Sequence, residues 1–441
     1  MRTRRRLVVL SLAMVFVASG ATACASMAEQ TTLDVLGPWT GAEETQFRRA
    51  LDEFTKRTGT TVNYQGTRSV GDTLLADLQD DDPPDIAIFP SPGELAPHIQ
   101  RDEVVALDDV VGDEWTAEYG VQWRRLAAAG RDELYAVPVQ VGLKSLVWFN
   151  PRELTPPPAP RTWDDLIGLT RSLDDRAGVT PWCDGVRSTG TFGWPGTDWI
   201  EDILLKQSGV DAYERWARGE LPWTSPQVRE AWLVWGRIAT GAGTGGAGID
   251  PALLNEFTDA GRPLFAQPPG CFLHHQASFI MSVYRDYRDP RLSAGADFDF
   301  FPFPEFPGQS GPTRWEVSAD LAALFRDSED ARELIRFMVS DEAQRFWPEA
   351  GAGAFSANAH VGRDAYLNDQ GKRIADVLLG GDTLCFDASD QMPATMRNAF
   401  YRAVLRYLSD PSRLNDVLDD LEKIRTRLSD EPVLTVSCGQ S

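Results

Sequence analysis

Residues 31–109 impose an order on the fold. "TTLDVLGPW" (31–39) reads as a short apolar strand that ends in Gly-Pro. "TGAEETQFRRALDEFTKRTG" (40–59) then reads as a helix. Phe47, Ala50, Leu51 and Phe54 recur at helical spacing, Thr40 and Glu43 have the spacing of a capping box, and Gly59 stops the run. "TTVNYQG" is a second strand, "VGDTLLADLQD" a helix, "PPDIAIFP" a buried strand and "GELAPHIQRDEVVALDD" another helical unit. Strand, helix, strand, helix, strand predicts a parallel sheet covered by helices.

The pattern changes at "LYAVPVQVGLKSLVWFNPREL" (134–154), where two strand-like segments meet without a helix. A change of domain near 141–146 fits this. A Pro-rich connector follows, then a helix from about Thr162, and helices are predicted over 198–208, 210–218, 226–239 and 250–258. "CFLHHQASFIMSV" reads as a strand. "DFDFFPFPEFPGQSGPTRWEVSADLAALF" runs strand, Pro/Gly linker, strand, which predicts a second crossing. "EDARELIRFMVSDEAQRFWPEAG" is a helix pair, and 392–429 is helical. A chain of 441 residues, 42% apolar, is long enough for two cored domains. Two α/β domains joined by more than one crossing enclose a cleft, a common place for a ligand.

The N-terminus is "MRTRRRLVVLSLAMVFVASGATAC". Arginines precede a short apolar run and then small residues, which is the pattern of an export signal over residues 1–23. The small residues before Cys24 resemble a bacterial lipobox, with Ala21 where Leu is usual. This predicts a lipid on Cys24 as the mature N-terminus, with a linker over 24–32. The formal charge is −22, and more negative once the leading arginines are removed, which argues against nucleic-acid phosphates or anionic membrane surfaces as partners. No later stretch approaches 18 uninterrupted apolar residues. Cys183, Cys271, Cys385 and Cys438 remain, an even number in an exported chain, with three pairings open. Without Cys-x-x-Cys spacing, and with four histidines, no metal site is expected, and no cofactor fingerprint is present.

"PWC" (181–183), "GWPGTDWIEDILL" (193–205), "PLFAQPPGCFLHHQASFI" (263–280), "FDFFPFPEF" (298–306), "ADLAALF" (319–325) and "FDASDQMP" (386–393) occur in this order. Together they resemble the extracellular solute-binding proteins of bacterial ABC sugar importers, in particular the alpha-glucoside/maltose type. The resemblance covers about residues 33–428. It implies a two-lobed periplasmic-binding-protein-like fold, each lobe an α/β sandwich, closing on an oligosaccharide handed to permease transmembrane subunits. It places crossings near 141–146, 301–308 and 356–363. One lobe is then 33–141 plus 308–358, the other 146–301 plus 362–429, and 430–441 is a tail. The implied protein is a monomer held at the outer face of the cytoplasmic membrane by the lipid on Cys24. The resemblance also implies a Cys183–Cys271 disulfide; Cys385 and Cys438 would then pair, tying the tail back.

A sugar ring has an apolar face and a rim of hydroxyls, so it suits an aromatic platform flanked by carboxylates and amides. Trp194, on a Gly/Pro turn, is the leading stacking candidate, and Asp198 is read both as the cap of the following helix and as a hydroxyl acceptor. Trp199 shares a helical face with Ile203 and so divides between core and cleft. Trp39, Glu43 and Glu44 lie after the first strand, and Ser91 and Glu94 after the third. Gln140 and Lys144 flank the crossing. Of His275 and Gln276, strand alternation lets only one face the cleft, and the adjacent histidines point opposite ways. Trp315, Glu316, Asp387 and Asp390 complete the polar and aromatic set; Asp390 also reads as a helix cap. Asp320 and Tyr401 match family positions, although "VSA" replaces the small glycines usual before Asp320. Two alternatives remain: an exported glycoside hydrolase using a carboxylate pair, or the same fold binding a non-sugar solute such as a glycerophosphodiester.

Overall fold

The computed structural model describes residues 31–429, apart from 156, 175–178, 189–190, 241–248, 289–290, 309–311 and 351–352, together with 433, 436 and 438–440. The export signal and Cys24 lie outside the described residues. Among the described residues no helix is long and apolar enough to cross a membrane.

Two sheets organise the chain. The first contains β1 (Thr32–Gly37), β2 (Thr61–Gly66), β3 (Ile86–Phe89) and β4 (Val137–Leu143). The second contains β5 (Leu146–Phe149), β6 (Thr180–Trp182), β7 (Cys271–His275) and β8 (Asp299–Pro302). The chain then returns to the first sheet as β9 (Arg314–Leu324), β10 (Thr383–Phe386) and β11 (Gly439–Gln440). The first sheet runs β11-β10-β9-β3-β1-β2, with β4 also paired to β9, and the second runs β6-β7-β5-β8.

The opening units form as their periodicity predicts. β1 pairs in parallel with β2 and β3. The helix Ala42–Thr58 buries Phe47, Ala50, Leu51 and Phe54 and ends at Gly59 with φ 83°. Its start is different: Gly41 occupies the cap position, no side chain caps it, and Glu43 pairs with Arg68 instead of closing a box with Thr40. β5 is buried on both faces. Val147 and Phe149 pack into one core with Leu273 and Phe301, while Leu146 and Trp148 pack into the other with Phe298 and Phe300. This is the period-2 division of a strand covered on both sides.

The chain passes between sheets over residues 143–146 and again between Pro302 and Arg314. The segment expected to lie wholly in the second lobe does not: β10 pairs in parallel with β9 in the first sheet. The chain leaves that sheet after Phe386, where Ala388 and Met392 enter the other core. Four residues, "TLCF", are too few for alternation to reveal a strand. The expected tail is partly a strand, since β11 pairs with β10. The strand expected over "CFLHHQASFIMSV" stops at His275, and Ile280–Arg285 is a helix. The helices expected at 198–208 and 210–218 are one element, Trp194–Ala217, broken at Gly209 (φ 82°, ψ 175°).

Disulfides join Cys183 to Cys271 and Cys385 to Cys438. The first ties the end of β6 to the start of β7 across 88 residues, and the second ties the tail to β10. Replacing Cys183 and Cys271 together by Ser should cost about 2–4 kcal/mol by freeing the unfolded chain. A lower urea midpoint is expected; an unchanged midpoint would show that the bridge adds nothing.

Candidate functional site

A cavity of about 1020 Å³ lies between the sheets. Its first wall is the carboxyl end of the parallel strands: Trp39 after β1, Arg68 after β2 and Ser91 after β3. Ligands of open α/β sheets collect at this end because the chain turns there and leaves side chains and helix starts facing a crevice. The opposite wall is aromatic. Trp194 is half-buried and packs edge-on against Phe257 (ring centroids 5.0 Å apart), with Phe279 at 5.9 Å. Gly193, with φ 111°, makes this wall. A side chain there would meet the Tyr401 carbonyl at 2.2 Å, so only glycine lets Trp194 start its helix against Tyr401.

The floor is carboxylic. Asp320, on β9, accepts from the Trp39 indole at 3.2 Å and from the Gln140 amide. Burial, with Glu43 and Asp390 nearby, raises its pKa to about 7, while both hydrogen bonds oppose the rise. Asp390 accepts from the Ser91 hydroxyl at 2.8 Å. Asp198 lies 3.2 Å from the Lys144 ammonium.

Lys144 occupies the crossing between β4 and β5. Its ammonium also pairs with Asp387 and lies 3.8 Å from Asp390. Burial opposes its charge, yet the surrounding carboxylates hold its pKa well above the usual lysine value. Behind it lies Glu316, wholly buried, with neither carboxyl oxygen hydrogen-bonded among the described residues. Burial, then Glu201, Asp202 and Asp387, push Glu316 far above the ordinary carboxylate range. Glu201 behaves alike, and its other oxygen accepts from the Ala388 amide at 2.9 Å. Oxygens of Asp198, Glu316 and Asp387 lie within 4.8 Å of one another, a spacing that suits a cation, and Lys144 supplies one. On the surface, Glu118, Asp341 and His360 also have such spacing, with His360 beside both carboxylates.

Ten of the eighteen sequence candidates line this cavity: Trp39, Glu43, Ser91, Gln140, Lys144, Trp194, Asp198, Asp320, Asp390 and Tyr401. Trp39 does so from within the core, packed against Phe47 and Trp347. Eight do not line it. Glu44 pairs with Arg48 on its own helix, and Glu94 pairs with Arg397. Trp199 packs into the core against Trp182 and His275. His275 bonds Asp202 at 2.8 Å, while His274, facing the other way, bonds Tyr284. Gln276 accepts from the Ala277 amide, and Trp315 donates to Asp382. Glu316 and Asp387 belong to the buried cluster. Asp198 is not a cap, since the helix begins at Trp194 behind Gly193. The cap at 387–390 is Asp387, whose oxygen accepts from the Asp390 amide. Sequence reading missed Phe257 and Phe279. Phe279 sits in a segment read as strand, and Phe257 ended a helix with no feature to mark it.

The chain belongs to the family of bacterial extracellular solute-binding proteins, whose pattern matches residues 39–345. It is therefore a solute-binding protein that works outside the cytoplasm, and not an enzyme. It is 31% identical over 391 residues to the alpha-glucosides-binding periplasmic protein AglE of Rhizobium meliloti, covering 86% of this chain and 84% of that one. It is 30% identical over 400 residues to the osmoprotective compounds-binding protein GgtB of Synechocystis, covering 90% and 92%. Among solved structures it resembles the bacterial solute receptor AcbH, with TM-score 0.77 at 18% identity over 91% of this chain and all of that one. The fold is thus the two-lobed one with an interlobe cleft.

Glu316 supplies a test of the buried cluster. A carboxyl whose folded pKa lies above its unfolded value contributes stability below the unfolded pKa and loses it as pH rises toward the folded one. Glu316→Gln cannot ionise. It should match the wild type near pH 4.5 and melt a few degrees higher at pH 8. Equal melting temperatures at both pH values would show that Glu316 carries no such penalty.

Proposed function

We propose that this chain is the substrate-binding component of an ABC importer. It captures a neutral oligosaccharide, an alpha-glucoside such as a disaccharide, in the interlobe cleft and delivers it to permease transmembrane subunits. The observation that carries the reading is the pairing of the Trp194 wall with the floor of Asp198, Asp320 and Asp390 in one cavity of about 1020 Å³. An aromatic face takes the apolar side of a pyranose, and carboxyls take its hydroxyls in pairs. The similarity to AglE along most of both chains supports the alpha-glucoside class. The acidic floor disfavours a phosphodiester. Lobe closure on the ligand, about the chain crossings, accompanies capture. A lipid on Cys24 keeps the protein at the outer face of the cytoplasmic membrane, as a monomer.

The similarity to GgtB supports a second ligand class, small osmoprotective compounds, on the same site. Calorimetry with maltose, trehalose, sucrose, glucose and glycerophosphocholine separates the readings. Saturable binding of an alpha-linked disaccharide is expected. Tight binding of glycerophosphocholine alone would overturn the sugar reading. Trp194→Ala should weaken disaccharide binding about tenfold or more, roughly 1.4 kcal/mol. Unchanged affinity would remove Trp194 from the site.

A further inference from the structure

Away from the cavity, three chain segments meet at the surface, and each brings a side chain able to ligate a metal. Glu118 ends the helix Glu114–Glu118, Asp341 begins the helix Asp341–Ala350, and His360 lies on the segment that runs back past both. None of the three lines the cavity. His360 Nδ1 lies 3.6 Å from Glu118 Oε1 and 3.8 Å from Asp341 Oδ1, and ligand atoms of all three fall within 4.8 Å of one another. The two histidine distances are too long for hydrogen bonds. They approach what a shared ion imposes: with bonds of about 2.1 Å at the tetrahedral angle, neighbouring ligand atoms stand about 3.4 Å apart.

Asn358 holds the three residues in place. Its side chain is wholly buried. The amide donates to Glu118 Oε2 and Asp341 Oδ1, both at 3.0 Å, and its oxygen accepts from the His360 backbone amide at 2.8 Å. The backbone fixes the same meeting point, since Asn358 pairs with Tyr119 and the Ala359 amide donates to the Glu118 carbonyl at 2.7 Å. With Oε2 held by Asn358, Glu118 turns Oε1 toward His360. Two carboxylates are thus brought together against their mutual repulsion, and among the described residues Asp341 has no lysine or arginine partner. Metal sites use such a layer behind their ligands to fix ligand orientation.

We propose that Glu118, Asp341 and His360 bind one zinc-class transition-metal ion, with water completing its shell. The donor set selects the class. Imidazole nitrogen suits zinc, nickel and copper, whereas calcium and magnesium take oxygen ligands. The ion acts as a clamp on three segments far apart in the chain, which is why no spacing motif announced it. The helix Asp341–Ala350 carries Trp347 and Glu349 to the cavity toward its other end, so the clamp steadies an element of the cavity wall. The site stands independently of which solute the cavity takes.

Tag-free protein, stripped with EDTA and dialysed, tests this by titration with zinc chloride, followed by calorimetry and thermal melting. One equivalent should bind, and saturating zinc should raise the melting temperature by a few degrees. Magnesium chloride at the same concentration should not. His360→Ala should weaken zinc binding at least tenfold and remove the rise. Without metal it should melt with the wild type, because the His360 side chain is 54% exposed and its backbone bond to Asn358 remains. Asp341→Asn should also weaken binding at least tenfold. Equal zinc affinity in the wild type and His360→Ala, or an equal rise with magnesium, would show only diffuse attraction of cations to an acidic surface and would overturn the proposal. So would a wild-type protein that binds no zinc.

Discussion

A buried ammonium sits where the chain passes from one sheet to the other, and the surrounding architecture has to satisfy it. Lys144 follows β4 directly, Asp387 follows β10, and Asp198 comes from the first turns of the helix Trp194–Ala217. Removing one partner of a buried pair leaves an uncompensated charge at a cost of about 3–5 kcal/mol. The two places where the chain leaves the first sheet are therefore fastened to each other and to the second lobe. Ser145, the next residue, extends the joint by accepting from the Glu316 amide and donating to Asp202. The cavity floor lies over this joint, so the groups that line the cavity and the groups that connect the lobes are neighbours in one electrostatic network.

β9 connects that network to the rest of the fold. It runs beside β10, β3 and β4, brings Glu316 to the cluster and Asp320 to the cavity, and buries Leu321 to Leu324 in the core. One strand thus serves core, joint and site through alternate faces and successive residues. At 18% identity, likeness to a solved structure fixes the fold alone, and the ligand must be argued from the cavity. There the decisive features are local: a tryptophan made accessible by Gly193, and three carboxyls in unequal environments.

Much of the fold was legible because periodicity reports burial. The β1–β3 units, the helix over 42–58 and the change of sheet at 143–146 all declare themselves by which residues are apolar. "TLCF" at 383–386 did not, being too short to show a period. Helix starts were misread where backbone geometry overrode side-chain chemistry. Thr40 with Glu43, and Asp198 with Glu201, have capping spacing, but a positive-φ glycine starts each helix earlier or later. The site was half legible. Residues after strand ends reached the cavity as expected. Glu316, Asp387 and His275 were placed there too, because sequence marks a polar residue near a cleft without showing whether it faces the ligand or another buried charge. Residues 144, 198, 316 and 387 meet only in the folded chain, so no spacing could have announced their shared ammonium.

On the proposed reading a neutral sugar lies between the Trp194 wall and the carboxyl floor. A crystal structure grown with saturating maltose tests it most directly. A pyranose ring should stack on Trp194, with hydroxyls within hydrogen-bond distance of Asp198, Asp320 and Asp390. A sugar bound elsewhere on the surface, or a cavity left empty at saturation, would contradict it.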